Sequence, residues 1–155
     1  LRNMAKMALV RKSTGRNISV KHTADLENGS VIGYKEVMTD VVGEEVRKVQ
    51  NLTDGEPFAI LICDCHRYKE DETDADFILK AGQVGRAYIP MRGDVYEIDE
   101  SFVDTITGAN AGDLLELKAD EMKFAKKSTG GAVARLRRKG LTNILGQKSC
   151  EIEII

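Results

Sequence analysis

Apolar and polar positions along this chain alternate in short bursts rather than in helical stripes. The densest burst runs from Ala81 to Ser101, AGQVGRAYIPMRGDVYEIDES. Two extended runs, Arg86–Ile89 and Asp94–Ile98, flank Pro90–Gly93, with Gly82 and Gly85 marking the entry. In the second run Val95 and Glu97 oppose Tyr96 and Ile98, the period of a half-buried strand. Pro and Gly between the runs predict the turn of a β-hairpin.

The rest of the chain extends the pattern. Residues 8 to 22 mix isolated apolar positions with cations and show neither a helical stripe nor clean strand alternation, which predicts an extended N-terminal arm over residues 1–24. Asn28-Gly29 is a turn dipeptide leading into an apolar strand. Tyr34–Val49 is rich in valine and reads as two short strands around Gly43. Phe58–Asp64 is the most apolar strand and belongs at the centre of a sheet. Arg67–Asp76, with seven charged residues in ten, is surface loop. Leu114–Lys118 and Met122–Lys126 form a hairpin joined at Ala119–Glu121, and two last strands lie in Ala132–Arg138 and Cys150–Ile155. Many short strands, turns roughly every 8–12 residues and no persuasive long helix define an all-β fold, a single small barrel or sandwich over residues 25–155.

Composition narrows the classes of function. A chain of 155 residues forms one domain with a sizeable core and needs no metal or disulfide to fold. Net charge is -2, so bulk electrostatics favours neither nucleic acid nor an anionic membrane. The longest apolar run, Phe58–Cys63, is far below the roughly 20 residues a spanning helix requires. The N-terminal stretch lacks a signal-peptide apolar core, and three cysteines make no disulfide framework, so an intracellular, reduced protein is expected. Leu1 precedes Met4 and Met7, and either methionine is a candidate start. Charge is uneven along the chain: Arg11, Lys12, Arg16 and Lys21 give the stretch from Arg11 to Lys21 a charge of +4, suited to an acidic partner surface or, equally, to a solvated and partly disordered terminus.

Candidate chemistry is sparse. Cys63-Asp64-Cys65-His66 is the one cluster of metal-ligand residue types, with Cys150 and His22 as distant helpers. In a strand its two thiols fall on one face and Asp64 and His66 on the other, and the spacing is not that of a zinc knuckle. A cysteine ending an apolar strand is more often a small core residue, so no metal and no cofactor are expected. The glycine-rich pieces Thr129–Gly131 and Gly82–Gly85 lack phosphate-loop spacings. Arg135–Lys139 suits an acidic surface or nucleic acid, but aromatics are 5% of the chain and none interleaves with these cations. A solvated strand edge protected by charge is the plainer reading.

Several blocks in order resemble the small capsid decoration, or head cement, proteins of tailed bacteriophages and prophages. They are Leu26–Ser30, Ile60–Asp64 with Tyr68–Asp71, and above all Asp76-Phe-Ile, Ala81-Gly, Gly85–Tyr88 and Arg92–Tyr96; Ala111–Leu117 follows as the entry to the last hairpin. The resemblance covers roughly residues 20 to 155, while the basic run and the cysteine–histidine cluster depart from it. It implies a non-enzymatic virion protein on the capsid exterior, made in the host cytoplasm, binding a shell of HK97-type major capsid protein and stabilising the head. Its partners would be that capsid protein and neighbouring copies of itself, with no membrane and no nucleic acid. Arg11, Lys12, Arg16, Lys21, Arg67, Tyr68 and Lys69 are the expected capsid contacts. A head–tail connector or tail component is the alternative, and a small metal-dependent hydrolase using Cys63, Cys65 and His66 is the reading from another class.

Overall fold

A computed structural model describes residues 6–13, 15–38, 45–63 and 78–155. Twelve strands lie among them: β1 (Leu9–Lys12), β2 (Arg16–Lys21), β3 (Val31–Val37), β4 (Val46–Gln50), β5 (Phe58–Leu61), β6 (Val84–Ile89), β7 (Val95–Asp99), β8 (Val103–Asp104), β9 (Leu114–Leu117), β10 (Phe124–Lys126), β11 (Ala134–Thr142) and β12 (Lys148–Ile154). The fold is all-β. Strands β2-β4-β3-β5-β6 close into a barrel, and β1-β7-β12-β11-β9-β10-β8 form a seven-stranded sheet.

The apolar pattern explains how the two units share one body. Along β5, Ala59 and Leu61 point into the barrel, whereas Phe58 and Ile60 join the core between barrel and sheet. Neighbouring β3 divides in the same way, with Ile32 inside the barrel and Val31 outside it. A strand buried on both faces must be apolar at consecutive positions, which is why Phe58–Cys63 is a continuous run. The second core is completed from the sheet by Tyr96, Ile98, Phe124, Leu136, Cys150 and Ile152. Phe58 meets Phe124 edge-on across it, ring centroids 6.0 Å apart. In β12 Cys150, Ile152 and Ile154 fill that core while Ser149, Glu151 and Glu153 take the other face, so apolar and polar side chains alternate along the strand.

The block from Ala81 to Ser101 does not fold as a hairpin. β6 pairs with β2 and β5 in the barrel, whereas β7 pairs with β1 and β12 in the sheet. The turn is present, with Asp94 N–H donating to Met91 O at 2.9 Å and Gly93 at φ 93°, but it carries the chain from one unit to the other. Asp94, 1% exposed, holds the crossing: its Oδ2 accepts from Met91 N–H and from the Tyr96 hydroxyl. Burial pushes the Tyr96 phenol up, so it stays a donor. Tyr88 and Tyr96 meet edge-on between the units, not as ladder neighbours.

The basic N-terminal segment is extended, as expected, yet paired rather than free. β1 lies on the sheet edge against β7, and β2 sits between β4 and β6 with Val20 fully buried. Ile18 and Val20 supply the apolar face that seats β2 in the barrel core. Elsewhere the expected strands are found: β3 follows the Asn28-Gly29 turn, β9 and β10 pair antiparallel, and β11 and β12 pair antiparallel. Gly43 and Arg67–Asp76 lie outside the described residues.

Candidate functional site

The four cations expected to act as one contact surface are distributed over both units. Arg11 stands on the face of β7 opposite the core, where its Nη2 reaches Glu97 Oε2 at 3.1 Å. Glu97 and Glu151 are directly opposed in the β7–β12 ladder and both are buried. Arg138 of β11 approaches Glu151 at 3.6 Å. Four adjacent strands thus carry a row of two opposed carboxylates, each with its own guanidinium. Like charges facing each other across a ladder are destabilising, and the two arginines offset that. Arg11 is therefore part of the sheet's own electrostatics. Lys12 is exposed, opposite Val95 at a bulge in the β1–β7 pairing. Arg16 opens β2, exposed; Lys21 closes it, half-buried beside Lys48 of β4 and roughly 16 Å along the strand from Arg16. Arg67, Tyr68 and Lys69 lie outside the described residues.

Of the cysteine–histidine cluster only Cys63 is described. Its backbone is held by the Asn28 amide in both directions, Cys63 N–H to Oδ1 at 2.8 Å and Nδ2 to Cys63 O at 3.2 Å. Its sulfur accepts from Arg86 N–H at 3.3 Å. Cys150 belongs to the other core, between barrel and sheet, so it does not complete a ligand set with Cys63. Burial, then the charges of Glu100, Asp99 and Glu97, pushes its thiol up to about 12, leaving a protonated, poorly coordinating sulfur. Among the described residues no group of three or more His, Cys, Asp and Glu side chains could hold a metal ion.

The most sharply built surface is the end of the β11–β12 ribbon. β11 pairs with β9 only at Ala134 and Arg135, and β12 meets β7 no nearer the tip than Ser149. At the tip, Asn143 Oδ1 accepts from Leu145 N–H and Gln147 N–H, both at 3.0 Å, while Asn143 N–H donates to Gln147 O. Gly146, at φ 77°, supplies the left-handed residue this turn needs. Ile144 stands out from it with 85% of its surface exposed. The Arg135–Lys139 run marks the base of this ribbon, but the run by itself does not show that the cationic stretch continues to Lys148 or that an apolar residue crowns it. The signals for both are Lys148 and the Asn143-Ile-Leu-Gly146 turn.

No protein-family model matches the chain, and no curated protein or solved structure does either. The fold and surface define a small all-β protein, a closed barrel backed by a sheet.

Proposed function

We propose that this chain is a structural capsid decoration protein that binds the outer surface of a bacteriophage shell and stabilises the assembled head. One observation supports the reading most directly. The described parts of four of the sequence blocks that resemble the decoration family, Leu26–Ser30, Ile60–Cys63, Gly85–Tyr88 and Arg92–Tyr96, lie far apart in the chain and form one connected seam. Leu26 bridges to Leu79, Gly29 N–H donates to Leu61 O, Asn28 brackets Cys63, and the Cys63 sulfur meets Arg86 N–H. Ile60 then pairs with Tyr88, which touches Tyr96. Residues shared with the family for structural reasons are expected to cluster this way, since they build the body on which any binding surface is carried.

The physics of the role is mass action. A ligand that binds only the assembled shell stabilises it by RT ln(1 + [L]/Kd) per site, and many sites act on one particle. The probe is the purified protein mixed with expanded shells of the major capsid protein encoded in the same genome. Saturable co-sedimentation at a fixed ratio to capsid subunits is expected. Intact shells that leave the protein in the supernatant would sink the proposal, and closed rings of defined copy number in solution would point to a connector instead.

A further inference from the structure

We infer that the β11–β12 ribbon is the element that docks, and that what it meets is an acidic protein surface with an apolar recess; the inference rests on the decoration reading, in which that surface belongs to the shell. From Arg137 to Lys148 the chain reads RRKGLTNILGQK, four cations and no carboxylate. The whole chain is at -2, so everything outside this +4 segment carries -6, and of the segment's cations Arg138 is paired with Glu151 of β12. Past Arg135 and Leu136 the ribbon has lost its β9-side neighbours, and at its base it is fastened by Lys139 Nζ to Ala109 O and by Gly140 N–H to Glu100 Oε1.

The tip is built to present one side chain. Asn143 is itself only 9% exposed and spends its amide on the turn, so the loop is ordered before any partner arrives. Ile144 at 85% stands far above the next most exposed large hydrophobic, Met91 at 49%. An apolar side chain on a preordered loop, with Lys148 one ladder pair below it and Arg137–Lys139 further down the ribbon, has the form of an interface anchor: the apolar tip supplies affinity and the cations supply steering. Preordering removes most of the entropy cost that a flexible loop would pay on docking.

Charge decides among occupants. A duplex longer than the ribbon would run on over the acidic body, and the ribbon has no aromatic residue to stack on a base. A second copy brings its own cationic segment to the contact, and several of its carboxylates are already paired, Glu97 and Glu151 with Arg11 and Arg138, Asp104 and Glu121 with Lys118, and Asp113 with Lys126. An acidic surface on a different protein meets neither obstacle.

Two variants test this on the full-length protein, Ile144→Ser and the pair Arg137→Glu with Lys148→Glu. All three residues are exposed and no hydrogen bond or ion pair of their side chains is found among the described residues, so thermal melting should stay near that of the parent. Against shells of the major capsid protein from the same genome, each variant is expected to bind about tenfold more weakly or worse. The charge variant should also lose most of its salt dependence. If the parent binds and both variants bind within twofold of it, the ribbon is not the docking element, although the decoration reading survives. If the parent ignores shells, the decoration reading fails. The same three proteins are then run against a duplex of about 30 base pairs and against themselves in sedimentation velocity. Binding there that the variants abolish assigns the ribbon to nucleic acid or to a second copy and overturns the acidic-surface inference, and so does an absence of binding to all three.

Discussion

Arg11, half-exposed on the edge strand β1, pairs with Glu97, a buried carboxylate that already faces Glu151. Replacing it with alanine leaves two opposed carboxylates with a single guanidinium, Arg138, on the far side of Glu151. Arg11→Ala should cost about 1 kcal/mol in urea unfolding, more than an ordinary exposed pair, because the remaining partner is buried. Adding Glu97→Gln should restore part of that loss. Strictly additive effects of the two changes would show that the pair is electrostatically idle. Asn143 offers a cleaner case, since its side chain satisfies two backbone donors and crosses the turn to Gln147. Asn143→Ala is expected to cost about 1–2 kcal/mol by the same measurement, and a loss under about 0.3 kcal/mol would contradict the account of a preordered tip.

At the scale of elements, the two crossings between barrel and sheet lie side by side. A Cβ on Gly15, between β1 and β2, would fall 2.3 Å from Ile89 O and 3.0 Å from the Asp94 carboxylate. Backbone on one side and a buried anchor on the other leave no room to yield. Gly15→Ala should destabilise by about 2–3 kcal/mol in thermal or chemical unfolding. Gly108→Ala, which meets nothing within 4 Å, should stay within about 0.5 kcal/mol of the parent. Equal effects would mean that the crossings do not constrain each other. The short edge strand β8 depends on charge. A hydrogen bond from Lys118, at 2.6 Å, holds the Asp104 carboxyl below its ordinary value of 3.8. A depressed folded value stabilises above 3.8 and is lost as pH falls through the folded value. Unfolding midpoints should therefore drop below about pH 4 more steeply in the parent than in Asp104→Asn, and identical acid profiles would rule that out.

These same elements show what the pattern of residues could and could not disclose. The β9–β10 hairpin was legible because turn and strands are neighbours in the chain, with Asp120 at φ 62° in the turn. The Pro90–Gly93 turn was equally legible, but which sheet each flanking strand joins was not. β7 finds its main partner in β12, about fifty residues on, and local chemistry says nothing about a choice made at that distance. The β2 strand was hidden for another reason. Its apolar face is only Ile18 and Val20, and the cations at either end drown an alternation two residues deep. Of the candidate contacts, the basic residues themselves were legible and their setting was not. Arg11's partner Glu97 lies 86 positions away, and Ile144 is ordinary in composition until the turn that lifts it is seen.

For the whole molecule, barrel and sheet divide the work of folding and leave the end of the β11–β12 ribbon projecting past its neighbours. The strands between them are apolar on both faces and weld the units together, the outer face of the sheet balances its own charges, Arg138 included, and the β11–β12 ribbon carries Arg137 and Lys148 exposed beside it. A rigid body with a projecting, cation-bearing ribbon suits the proposed role of adding to a surface already built. The measurement that bears most directly on this proposal is an image of shells from the same genome incubated with the protein, reconstructed to a resolution that separates strands. The account predicts ordered density at fixed lattice positions on the shell exterior, with the β11–β12 tip turned toward the capsid subunits and Ile144 seated in an apolar recess. Shells that stay bare at saturating protein, or copies attached through another face with the ribbon pointing into solvent, would contradict it.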